Sequence, residues 1–265
     1  MEIAFQNISH HLHPFVAAVW ASQGQEEIRS ERIVPDGGSC LIFNFGGAVS
    51  ITRTNGALAT WKNNFFAGPA TSYLDLKYHG NFEQVGVIFK PFGAFHLMKI
   101  PMSEFIDSEF ELDVINKQKF QKISDEMAST ECLHRRLSML CNWLEAAFAQ
   151  ASEESCIPAV TSLLQQPDEI SVKEIAGQIG RSQQHIARLF NKHVGVSPKK
   201  LQRIFRFQKV LRSLSNQPCE FLTTTAYQYN YFDQPHFNNE IRSFSGFTPS
   251  QLTKQNVLGS FRVIR

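Results

Sequence analysis

Two segments of this chain repeat each other. HIARLFNKHVGVSP occupies residues 185–198 and HFNNEIRSFSGFTP occupies residues 236–249. In each, a His stands ten residues before a Gly, and a Pro follows three residues after that Gly. The match extends further. Ala176 pairs with Ala226 at an offset of 50, and after one inserted residue His185 pairs with His236, Gly195 with Gly246, Pro198 with Pro249 and Leu201 with Leu252 at 51. A chain that spells one small unit twice must build that region from two like modules, which constrains its fold more than any composition does.

The unit reads as two short helices. Ser171 with Glu174 has the spacing of a capping box, in which each residue satisfies the other's free helix-end amide. Val172, Ile175, Ala176 and Ile179 then form an apolar face, and Gly180 suits the left-handed position that ends a helix. Ser182 caps a second helix, with Ile186, Leu189 and Phe190 inward and Gly195 closing it. Two short helices across a tight turn, with a small Ala inside the first, make a helix-turn-helix. The second copy has Thr223 or Thr224 as its first cap, Ala226 as the small residue, Asn230 at the turn and Asp233 as its second cap. Phe237, Ile241 and Phe244 point inward, and Pro235 falls in a first turn, where no helical donor is lost.

Between the copies, SPKKLQRIFRFQKVLRSL reads as one helix with Ile204, Phe207, Leu211 and Leu214 along one side. Lys199, Arg203 and Arg206 fall on a neighbouring side. Its length of roughly 24 Å, with a helix pair at each end, suits two recognition helices in major grooves about 34 Å apart. The basic side would then face the intervening phosphates.

Charge agrees with a polyanionic partner for this half alone. Residues 151–265 carry 14 Lys and Arg against 8 Asp and Glu, a net +6, whereas residues 1–150 carry 12 against 16, a net −4. A basic part behind an acidic one points the basic part at nucleic acid.

The first 110 residues read as strands. Cys40 to Phe45, Ala48 to Ile51 and Gln84 to Phe89 are apolar or alternating stretches. Gly46-Gly47, an Asn55-Gly56 hairpin signal and Pro91 punctuate them. The aromatic residues here read as core, with a pocket lined by some of them as the second reading. From about residue 112 the period becomes helical. Leu133, Leu137, Leu140, Leu144 and Phe148 form one stripe, which either packs on the N-terminal domain or pairs with a second copy in a dimer. ASEES, at 151–155, reads as a boundary.

No apolar run approaches the length of a membrane span, and MEIAFQNISHHLHPF lacks the pattern of a secretory signal. The five cysteines include no CxxC pair, so neither a zinc ribbon nor a disulfide framework is expected. A cytoplasmic protein without metal or cofactor is the expectation. His10, His11 and His13 have no ligand partner nearby in sequence. Asp36, His79 and His96, the residues an enzyme would use, come with no nucleophile elbow, phosphate loop or zinc motif.

Residues from about 157 to 252 resemble the DNA-binding domain of the AraC/XylS family of bacterial transcription regulators. IAGQIG, RSQQHIARLF, NKHVGVSP, the linker helix with Arg206, DQPHF and GFTP carry the likeness. The sequence departs from the family pattern at Asn230, where Gly is usual, at Asn239, where Arg is usual, and at Ile241, where Phe is usual. RIVPDGGSCLIFNFGG and GVIFKPFGAF are similar to the β-rich sensing half of some members.

The resemblance implies an α+β chain. It would have a cupin-like or related barrel over residues 1–110, a helical dimerisation or linker region over 111–151, and an all-α domain over 152–265 with two helix-turn-helix units. It implies double-stranded DNA as partner, with a small-molecule effector, a second copy and RNA polymerase as further partners, and no enzymatic activity. Base contacts are expected from Gln183, Gln184 and Arg188 in the first unit and Gln234, Asn238 and Asn239 in the second. Phosphate contacts are expected from Ser182, Lys192, Lys199, Arg203 and Arg242. His185 and His236 are expected to serve packing or backbone bonding. The alternative is a ligand- or partner-binding protein with little sequence-specific DNA readout.

Overall fold

A computed structural model describes residues 2–151, 156–166, 170–216 and 226–254. The chain opens with β1 (Glu2–Gln6), β2 (Val16–Ile33), β3 (Ser39–Asn44), β4 (Val49–Arg53), β5 (Leu58–Trp61), β6 (Phe65–Ala67) and β7 (Leu74–Phe89). Helix α1 (Gly93–Met98), a 3-10 turn (Met102–Phe105) and β8 (Glu109–Glu111) follow. The remainder is helical: α2 (Leu112–Ala128), α3 (Leu133–Phe148), α4 (Ile157–Leu164), α5 (Val172–Ile179), α6 (Gln183–His193), α7 (Pro198–Asn216), α8 (Gln234–Ser245) and α9 (Pro249–Lys254).

All strand pairings are antiparallel, in the order β1-β2-β7-β3-β6-β8, with β4 on β7 and β5 on β4. The long β2 and β7 pair along their lengths, while β7 offers its other edge first to β4, at Leu74–Tyr78, and then to β3, at Gln84–Phe89. Asn55-Gly56 makes the β4–β5 hairpin, with Gly56 at φ 81° and Asn55 Oδ1 accepting the Ala57 amide at 2.9 Å. Pro91 follows the end of β7, as its missing N–H requires.

Side-chain alternation gives the sheet two apolar faces. Leu41, Phe43, Val85, Val87 and Phe89 lie in a core shared with α1, α2 and α3. Trp20, Ile42, Val49, Ile51, Tyr78 and Ile88 gather in a separate cluster on the opposite face. That cluster surrounds a cavity of about 110 Å³.

The α3 stripe corrects one expectation. Leu133, Leu137, Leu140, Leu144 and Phe148 are at most 4% exposed within the single chain, packed in the core beneath the sheet. Side chains already buried in one copy cannot be the contact surface for another, so the stripe is core and not a dimer interface.

The first core continues beyond α3 through Ile157, Val160 and Leu164 of α4 to Ile175, Ile186, Phe190 and Leu201. The second helical unit has a cluster of its own, built from Phe207, Leu211, Phe237, Ile241 and Phe244 with Val34 at its edge. Helix α7 contributes to both cores. No helix among the described residues is long and apolar enough to cross a membrane.

Candidate nucleic-acid interface

Local chemistry builds the first unit as the sequence predicts. Ser171 Oγ accepts the Glu174 amide at 3.2 Å, and Glu174 accepts the Ser171 amide at 2.8 Å, closing the capping box. Gly180 takes φ 68° and ends α5. Ser182 Oγ accepts the His185 amide at 3.1 Å and starts α6. Ile186 and Phe190 are fully buried, which turns Gln183, Gln184, Ala187 and Arg188 outward. A guanidinium nitrogen of Arg188 lies 3.3 Å from His185 Nδ1, so His185 both receives the cap through its amide and steadies the arginine through its ring.

The second unit is built alike. Asn230 adopts φ 56° at the turn, the left-handed conformation that Asn tolerates in place of Gly. Asp233 Oδ1 accepts the His236 amide at 2.7 Å, and Pro235 sits in the first turn of α8. Phe237, Ile241 and Phe244 are fully buried and Gly246 closes the helix at φ 78°. Gln234 and Asn239 are exposed and Asn238 is half-buried. Thr223 and Thr224 lie outside the described residues; the preceding helix is described only over residues 226–228.

Helix α7 holds the two units apart. Its 19 residues span about 28 Å at 1.5 Å per residue. Ile204, Phe207, Leu211 and Leu214 line its buried side as expected.

The basic side of α7 divides into two roles. Lys199 is exposed. Arg203 and Arg206 instead converge on Glu240 of α8, at 2.6 Å and 2.9 Å, and that carboxylate is 1% exposed. Burial alone would push the Glu240 carboxyl up, but the hydrogen bonds and charges of Arg206 and Arg203 outweigh it and hold it below the ordinary range. Arg203 is therefore engaged within the protein, where a phosphate contact had been expected.

The remaining expected phosphate contacts are placed differently from one another. Ser182 is exposed at the α6 cap and Arg242 is exposed on α8. Lys192 Nζ lies 5.2 Å from the ring centre of Phe95 in the N-terminal domain, a cation over an aromatic face. Beside it, Asn191 Nδ2 donates to Ser103 Oγ at 3.3 Å. The C-terminal turn of α6 thus leans on the N-terminal domain, while its N-terminal turns stay open.

The helical C-terminal half meets the N-terminal domain at two further points. Gln208 of α7, 5% exposed, donates to the Pro35 carbonyl at 2.6 Å. Arg32 binds Asp75 at 2.7 Å, donates to the Ser245 carbonyl at 3.2 Å and lies over the rings of Tyr73 and Phe247. The three tethers reach α6, α7 and the end of α8.

The residues of the enzyme and metal readings are dispersed among separate roles. His79 Nε2 lies 2.8 Å from Ser50 Oγ, His96 packs against Phe15 and Phe148, and Asp36 accepts the Gly38 amide. His11 Nε2 is 2.8 Å from the Phe148 carbonyl at the end of α3, while His10 and His13 line a cleft between the domains.

A family model described as a helix-turn-helix domain matches residues 175–255, and one described as a domain of unknown function (DUF6597) matches residues 9–111. No curated protein matches the chain. Among solved structures, the chain is similar to ToxT from Vibrio cholerae O395 bound to (E)-4-(8-methylnaphthalen-1-yl)but-3-enoic acid. Identity is 9%, coverage 91% of this chain and 99% of that one, and the TM-score 0.48. For unsaturated fatty acid bound ToxT from Vibrio cholerae strain SCE256 the values are 10%, 89%, 94% and 0.47. For the AraC-like transcriptional activator CuxR they are 11%, 81%, 86% and 0.29. The assignment rests on the helix-turn-helix model and on the two capped helix pairs. The chain carries a C-terminal helix-turn-helix domain behind a β-rich N-terminal domain that matches a family of unknown function.

Proposed function

We propose that the chain is a sequence-specific transcription regulator that sets α6 and α8 into successive major grooves, acting in the cytoplasm where the chromosome lies. One observation carries this reading above others: two helices, each started by a side-chain cap (Ser182, Asp233) and each with apolar residues inward at matching places (Ile186 and Phe237, Phe190 and Ile241), present polar outward turns at either side of α7, a spacer of suitable length. Arg188 is the guanine reader, because a planar guanidinium can donate two bonds to one base edge, and Gln183 and Gln184 suit adenine. In the second unit Gln234, Asn238 and Asn239 take the equivalent places. Ser182, Lys192, Lys199 and Arg242 hold phosphates, which set register and affinity without reading sequence.

Control by a small molecule is the second half of the proposal. The cavity in the N-terminal domain is walled by Trp20, Ile42, Val49, Phe65 and Ile88. Its size is near that of engineered cavities that accept benzene, so it suits a small apolar effector.

Fluorescence anisotropy with labelled duplexes tests the DNA-binding reading. Affinity is expected to fall linearly on a log scale with salt. Arg188→Ala is expected to remove about 1–3 kcal/mol of preference for a cognate over a scrambled duplex, leaving nonspecific binding largely intact. Asn239→Ala, which removes a shorter side chain at the matching place, is expected to cost less. Lys199→Ala is expected to weaken all duplexes alike and reduce the salt slope by about one. A greater loss of preference from Asn239→Ala than from Arg188→Ala would reverse the ranking of the two helices.

A further inference from the structure

Phe232 is the most exposed large apolar side chain among the described residues, at 87%. It stands in the turn that leads into α8, one residue before the Asp233 cap and two before Gln234. Its neighbours fix that exposure. Tyr231 is 3% exposed and packs edge-on against Phe237, with 5.0 Å between ring centres. Asp233 Oδ1 accepts the His236 amide at 2.7 Å. With Tyr231 turned inward and Asp233 committed to the cap, Phe232 projects from the end of α8 that also presents Gln234.

A single exposed apolar side chain needs no special cause, but the repeat sets this one apart. At the offset of 51 that pairs His185 with His236, the cap Ser182 pairs with Asp233 and Gln183 pairs with Gln234. The same register sets Phe232 against Arg181, Asn239 against Arg188 and Ser243 against Lys192, and all six are exposed. Arg242, against Asn191, runs the other way. Over these positions the first unit offers three cations and the second offers one.

Fewer charged donors leave the second unit with less hydrogen-bond readout. Apolar contact is the other chemistry by which a major groove tells one base pair from another. Thymine carries a methyl group on its major-groove edge, and phenylalanine is among the side chains that meet it. The N-terminal residues of a recognition helix are those that reach base edges, and Phe232 sits at that end of α8.

We propose that Phe232 is a specificity-determining residue that packs on the C5-methyl group of a thymine in the half-site of α8. This rests on the reading of α8 as a major-groove helix and adds the base that it selects. Arg181, at the matching place in the first unit, presents charge instead of an apolar ring and gives no such preference.

Fluorescence anisotropy of the full chain, on a duplex recovered by selection from a random pool, tests it. Each thymine is replaced in turn by deoxyuridine, which keeps every hydrogen-bonding group and lacks the methyl. At one position, in the element bound by α8, the replacement is expected to weaken wild-type binding about fourfold, the worth of one buried methyl-sized group. Phe232→Ala is expected to bind the thymine duplex more weakly and to be indifferent to deoxyuridine at that position. Phe232→Leu, still apolar, is expected to retain part of the sensitivity. Because the side chain is exposed, Phe232→Ala is expected to fold as wild type does, with circular dichroism as the check. Equal sensitivity to deoxyuridine in wild type and Phe232→Ala overturns the proposal while α6 and α8 remain DNA readers, as does tight wild-type binding that no replacement weakens. Failure of the wild-type chain to select any duplex overturns the underlying reading, and the proposal with it.

Discussion

Glu240→Ala is expected to cost about 3 kcal/mol of folding stability, the low end of the range for removing one partner of a buried ion pair. The carboxylate is 1% exposed, Arg206 is 11% exposed and Arg203 is 39% exposed. Arg203 can turn to solvent when its partner is lost, whereas Arg206 stays buried with its charge uncompensated. Chemical denaturation measures the loss, which is large beside the 5–15 kcal/mol of an ordinary domain. The same pair predicts a pH dependence. Because the folded-state pKa of Glu240 lies below its unfolded value, the stability it contributes is complete above about pH 4.5, the ordinary glutamate value. That contribution is lost as pH falls through the folded-state value. Glu240→Gln lacks it, so the stabilities of wild type and variant are expected to converge in acid and to separate at neutral pH. Parallel curves at all pH values would show that the ion pair contributes nothing.

Leu137→Ala is expected to cost about 2–5 kcal/mol, as for other fully buried leucines, because the side chain is 0% exposed within the core shared by α3 and the sheet. Leu137→Lys places a charge in the same position and is expected to unfold the N-terminal domain. Circular dichroism and ultracentrifugation on both variants separate the two readings of the stripe. A folded Leu137→Lys protein with a smaller sedimentation coefficient than wild type would make the stripe an intersubunit contact and contradict the observed packing.

The helix-turn-helix half was legible because its signals are local. Ser171 with Glu174, Gly180, Ser182, Asp233 and Gly246 each set one helix end by its own side chain or its own backbone freedom, and all five do so in the structure. Asn230 in the left-handed region follows the same logic. Roles that depend on a distant partner were harder to read. Arg203 and Arg206 sit among basic residues and read as a phosphate-facing surface until Glu240 is placed against them. The repeat did hold a signal: Glu240 occupies the place of the inward Leu189, and a carboxylate at an inward position needs a buried cation.

The N-terminal half was legible in part. Cys40 to Phe45, the Asn55-Gly56 turn and the end of β7 near Pro91 follow from alternation and turn chemistry. Most of β2 did not, because its polar second half has no apolar run and is a strand through pairing with β7. The α3 stripe shows the same limit. Periodicity gives the apolar face of a helix, and only the surrounding packing shows that a sheet covers it.

Helices α6 and α8 are proposed to read DNA together, each in its own major groove. Selection of bound duplexes from a random-sequence pool by the full chain tests it most directly. The expected result is an enriched motif with two short elements whose centres lie about 10 base pairs apart, one helical turn along the same face. A pool that stays random through successive rounds, or one that yields a single element without a second at that spacing, would contradict it.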